Sequence, residues 1–166
     1  GNSGKNINFS NSTLFLSLIF NLTNGAVITN ANNTKFNLGW SNNSSSGMLD
    51  FKYSSSNGSV LNSSFLEFID TDFDYQIVGN NSSPLIFGEI VSRGVSLLIG
   101  TDVSVNKYTS LTNQIRITSG KEFKILNEAH LSGASCNITR SIVSSIPGTQ
   151  AYLTIAGGDT NFDYLT

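Results

Sequence analysis

Apolar residues recur at every second position along almost the whole of this 166-residue chain, and no segment sustains the 3.6-residue period of a three-turn helix. A period of two puts successive side chains on opposite faces of an extended backbone, so the chain is committed to sheets. The alternating runs are Thr13–Thr23, Lys35–Trp40, Met48–Tyr53, Ser59–Ile69, Phe73–Val78, Pro84–Val91, Val95–Ile99, Gln114–Thr118, Glu122–Asn127 and Gln150–Ala156. Clusters of Ser, Asn and Gly separate them. Asn24-Gly25 and Asn57-Gly58 supply the two residues that tolerate positive φ in a type I′ hairpin. The nearest approach to a helix is Lys121–Leu131, tightly bounded by Gly120 and Gly133.

Short strands joined by polar turns predict an all-β fold, an antiparallel β-sandwich of immunoglobulin-like or jelly-roll-like type. A β-solenoid is the alternative, and the lack of a fixed rung period of about 20 residues counts against it. An internal echo is present: Asp70-Thr71-Asp72-Phe73-Asp74-Tyr75 returns as Asp159-Thr160-Asn161-Phe162-Asp163-Tyr164. At the same offset Leu22-Thr23-Asn24 with Ile28-Thr29 matches Leu111-Thr112-Asn113 with Ile117-Thr118, which predicts two related halves. The expected organisation is an N-terminal strand segment over residues 1–20 and one sandwich domain over 21–166.

Charge is scarce. Only 12% of residues are charged, about half the usual share, so the surface must be made from Ser, Thr and Asn. A net charge of -2 leaves no basic field for nucleic acid or anionic lipid. The apolar run Leu14–Phe20 is too short to span a bilayer. A start at Gly1 reads as a mature chain whose leader has been removed. The single Cys136 cannot form a disulfide within the chain and reads as a small buried apolar residue.

The strongest functional signal is the Asn-X-Ser/Thr sequon, at Asn8, Asn11, Asn21, Asn32, Asn42, Asn43, Asn57, Asn62, Asn80, Asn81 and Asn137. The residue frequencies alone would give about 5, so these sites predict an N-glycosylated exterior. Asp70, Asp72 and Asp74 resemble the start of a calcium loop, but Tyr75 stands where the sharp turn needs Gly. They read better as the wet face of a strand whose Thr71, Phe73, Tyr75 and Ile77 point inward. His130 is the only histidine, and Gly133-Ala134-Ser135 lacks the nucleophile elbow. Glu67, Glu89, Glu122 and Glu128 can supply paired carboxylates only if the fold gathers them, and Trp40 is the lone tryptophan for a sugar groove. No enzyme, no metal and no cofactor are expected.

An apolar strand near the N-terminus, all-β patterning, few charges and dense sequons together resemble the archaeal thread-type pilins. That resemblance implies a glycosylated extracellular filament subunit at the cell surface, joined head to tail by a donated strand into a homo-polymer that serves adhesion. The donated segment would be Lys5–Phe20, with Ile7, Phe9, Leu14, Leu16 and Leu18 making the subunit contact. Against donation of the whole segment, a hairpin at Asn24-Gly25 would pair Leu14–Thr23 with Ala26–Thr29 at home. The alternatives are a stand-alone carbohydrate-binding or adhesin domain, using Trp40 and Tyr53, and a viral coat or fibre jelly roll.

Overall fold

The computed structural model describes residues 6–9, 11–16, 19–22, 27–30, 34–38, 48–53, 64–69, 74–79, 84–131, 140–158 and 160–161. Every strand ladder among them is parallel. A small sheet joins β1 (Asn6–Asn8) to β4 (Val27–Asn30). A six-stranded sheet runs β3 (Ile19–Leu22), β6 (Met48–Tyr53), β8 (Asp74–Val78), β10 (Ser96–Ile99), β12 (Gln114–Ile117) and β14 (Ser141–Ser144). The larger sheet runs β2 (Thr13–Leu16), β5 (Lys35–Leu38), β7 (Phe65–Phe68), β9 (Leu85–Ser92), β11 (Val103–Ser110), β13 (Glu122–His130) and β15 (Tyr152–Ile155), with β16 (Thr160–Asn161) also paired to β13.

From β5 to β15 the chain alternates strictly between the two large sheets, so from β7 on each strand lies beside the one two places earlier. The chain therefore winds as a coil, each turn laid on the last. This overturns the antiparallel sandwich: alternation of period two identifies a strand, but the direction of its partner is set by how the chain returns. The turns also lack the fixed rung length sought for a β-solenoid. Glu89 lies beside Lys107, 18 positions on, whereas Ile19 lies beside Asp50, 31 positions on.

Among the described residues β3 pairs with β6 and β4 with β1, and not with each other as the expected hairpin at Asn24-Gly25 requires. Residues 23–26 themselves, and Asn57-Gly58, lie outside the described residues. The Lys121–Leu131 stretch is strand β13. Of the echo, Asp74-Tyr75 opens β8 and Thr160-Asn161 is β16, while their counterparts Asp163-Tyr164 and Thr71-Asp72 lie outside the described residues.

Inward positions form apolar rows along the stack. In the six-stranded sheet Tyr75, Leu97 and Ile115 make one row and Ile77, Ile99 and Ile117 the next, all at most 2% exposed. In the larger sheet β9, β11 and β13 each bend midway, where the alternation slips. The inward residues are Leu85 and Phe87, then Ile90; Val103 and Val105, then Tyr108; Phe123 and Ile125, then Ala129. At the same level β13 bulges against β11 between Val105 and Lys107. The bend gives the larger sheet two facets, and aromatic contacts tie the interior together. Phe68 lies on Tyr75 across the sheets at 4.5 Å, and Tyr108 meets Phe123 edge to face at 4.9 Å. Tight corners keep the turns short, as at Arg93-Gly94-Val95, where Gly94 has φ 104°.

Candidate functional site

The outer face of the larger sheet gathers much of the chain's sparse charge. In-register stacking brings Lys35 and Phe65, then Glu89, Lys107 and Glu128, into one row. Glu67 takes Lys35 Nζ at 2.9 Å and Arg93 Nε at 3.4 Å, and Lys35 also lies 4.6 Å above the Phe65 ring. Lys107 bridges two turns of the coil, at 3.8 Å from Glu89 and 3.3 Å from Glu128. Its ammonium pKa is raised, chiefly by the hydrogen bond to Glu128 and then by the charge of Glu89. His130 Nε2 lies 3.6 Å from Glu128.

Three of the four glutamates considered for acid–base work thus share a face, while Glu122 lies on the other facet, accepting from Thr154 Oγ1 at 2.5 Å. Glu67, Glu89 and Glu128 are each held by a cation. The row reads as a register clamp between turns of the coil, made of solvent-screened pairs that are each weak. Replacing Lys107 with Ala is expected to lower stability only slightly, and less still in high salt. Thermal melts at low and high ionic strength check this.

The second polar cluster is internal. Tyr108 Oη lies 2.7 Å from Ser92 Oγ, and Ser110 Oγ lies 3.1 Å from Thr112 Oγ1, all four residues being buried. Arg140, also buried, donates to the Thr112 carbonyl. Burial pushes the Tyr108 phenol up to about 12, against the opposing hydrogen bonds from Ser92, Ser110 and Thr112. Desolvation lowers the Arg140 guanidinium, and the neighbouring Tyr108 acts the other way. The arrangement completes the hydrogen bonds of hydroxyls inside an apolar coil, where an unmade one is expensive.

A pH dependence follows. Below pH 10 the phenol is protonated whether the chain is folded or not. Between its unfolded value near 10 and the folded value of about 12, only the unfolded chain releases the proton. Stability therefore falls as pH rises through this window, by roughly 2–3 kcal/mol in all. Denaturant midpoints at pH 9 and pH 11.5 should show the drop, and Tyr108→Phe should flatten it.

The predicted site residues are dispersed. Asn8 is in β1, Asn21 is in β3, and Asn11 is exposed in the turn before β2 with φ 55°. Asn32, Asn42, Asn43, Asn57, Asn62, Asn80, Asn81 and Asn137 lie outside the described residues. So do Asp70, Asp72, Trp40, Cys136 and Leu18; Asp74 starts β8 and accepts a 2.6 Å hydrogen bond from Ser96 Oγ. Among the described residues no group of His, Cys, Asp or Glu is placed to hold a metal ion, and no helix is long and apolar enough to cross a membrane.

The N-terminal segment is paired within the chain: Ile7 lies beside Ile28, and Leu14 and Leu16 lie beside Phe36 and Leu38. Phe9 meets Phe36 edge to face at 5.8 Å. Lys35, Arg93, Lys107, Tyr108 and Arg140 carry no motif in the sequence. Their association becomes visible only when strand register is known. No family model, curated protein or solved structure matches the chain.

Proposed function

We propose that the chain is a structural subunit of an extracellular, N-glycosylated surface filament, joined to its neighbours by strand pairing. The observation that carries this reading is the architecture: two parallel sheets stacked turn upon turn around an apolar interior, with end strands whose outer edges pair with no other described strand. A stack of this kind grows by the addition of strands, because each turn buries the face of the one before. Joining at the ends replaces donation of Lys5–Phe20, since the described N-terminal strands are already paired at home.

The sequons fit the same reading. All but Asn137 precede residue 84, so glycans would cluster on the early turns and leave β9 to β13 bare. Asn11, exposed in its turn, is the acceptor favoured by geometry. Electron microscopy of native material should show filaments, and intact mass should exceed the 17.8 kDa polypeptide by glycan increments. Asn11→Gln should remove one increment. Isolated single particles with the bare polypeptide mass would refute the reading.

A further inference from the structure

Charge is distributed over this fold against the usual protection of sheet edges. Among the strands inside the two large sheets, every one except β10 carries a charged residue, from Lys35 in β5 to Glu128 in β13. The four end strands carry none: β2 is TLFL, β3 is IFNL, β14 is SIVS and β15 is YLTI. They also hold no proline, and their ladders run without a bulge. Edges that must stay single are normally guarded by Lys, Pro or a bulge. Edges stripped of all three at both ends of a stack, in both sheets, are suited to being paired.

The backbone at one end shows what a partner would meet. Tyr152 N and Ala156 N donate back to Lys121 O and Ile125 O, and Ser141 N and Ser145 N donate to Asn113 O and Ile117 O. Alternate residues of a parallel strand direct their amides to opposite sides, so those of Ile142, Ser144, Leu153 and Ile155 point away from the stack. The apolar interior reaches the same end. Ile142, Leu153 and Ile155 pack on the core but are only partly buried, whereas Ile115, Phe123 and Ile125, one turn deeper, are at most 2% exposed.

We infer that β14 and β15 of one chain receive β3 and β2 of a second copy, parallel and head to tail, so that both sheets continue through the junction. This rests on the filament reading above and specifies its joint. The strand order puts β14 and β15 at one end of the two sheets and β3 and β2 at the other. A copy displaced along the stack therefore offers one matching edge to each sheet at once. None of the four strands brings a charge that the junction would leave unpaired, and Leu14, on the core side of β2, continues the apolar interior. Such a heterologous contact does not close on itself, so it propagates.

Sedimentation velocity of the purified full chain over a concentration series tests the joint. The expected result is an open series of growing species. Ser144→Pro combined with Ile155→Pro removes one outward-pointing amide from each edge while leaving those that bond β12 and β13, and should abolish growth while a cooperative melt persists. Ser144→Pro alone removes no apolar side chain, should weaken growth, and keeps the test readable if the double variant does not fold. Undiminished growth of the folded variants would overturn the joint and leave the filament reading standing. A wild-type chain that stops at a dimer would overturn the head-to-tail arrangement, and one that stays monomeric at every concentration would remove both readings.

Discussion

Phe123→Ala is expected to lower the stability of the chain by about 3–5 kcal/mol, a large share of what a domain of this size has to spare. The ring has no exposure and lies between Val103 and Leu153 in the stack. It also supports Tyr108 edge to face, and Tyr108 in turn closes the buried hydroxyl cluster. In a coil each turn touches only its neighbours, so a cavity here weakens two interfaces at once and loosens the last turn from the rest. Leu153→Ala, made on the end turn where the side chain is only partly buried, should cost about half as much or less. Urea midpoints of the two variants beside the wild type decide the matter. A loss below 1 kcal/mol for Phe123→Ala would mean that the interior at this level is not packed as described.

That contrast depends on which residues share a row, and rows were the least legible feature of the sequence. The commitment to strands was plain in the alternation, and Met48–Tyr53 is a strand with the bounds that alternation gives it. The direction of pairing was not, because a strand's own pattern is the same beside a parallel or an antiparallel neighbour. Unequal turns hid the repeat. The bend in the larger sheet hid β11 altogether: its inward set is Val103, Val105, Tyr108 and Ser110, and the slip at Asn106 and Lys107 breaks the period of two. In β13 the bulge widens the gap to four residues, between Ile125 and Ala129, a spacing that blurs into a helical one.

The ion-pair row was out of reach for the same reason. Glu89, Lys107 and Glu128 are far apart in sequence and meet only because three strands run parallel in register. By contrast, the charge-free end strands are written in the sequence. What the fold adds is that they stand at the two ends of both sheets, which turns a compositional oddity into a statement about assembly.

Gly158→Ala is expected to break the passage from β15 to β16, and with it the hold of the last turn on the bulge of β13. Gly158 has φ 83°, and a Cβ there would stand 1.3 Å from the carbonyl oxygen of Asn127 and 2.4 Å from its carbon. Those are backbone atoms at the site where β13 slips register, so no rotamer change relieves the overlap, and a left-handed backbone adds about 1–2 kcal/mol for a residue with a Cβ. The variant must either displace the β15–β16 corner or give up the pairing of Thr160 and Asn161 with Ala129 and His130. Gly157→Ala, next to it in the chain but with no atom within 4 Å of the added carbon, is the control and should be tolerated. Hydrogen exchange should show early loss of protection in residues 127–130 of Gly158→Ala while the amides of β10 and β12 stay protected. Equal protection in both variants would mean that the corner does not rest on the bulge. Because β15 is also the edge proposed to receive a second copy, a displaced corner should weaken end-to-end growth in Gly158→Ala and leave it intact in Gly157→Ala.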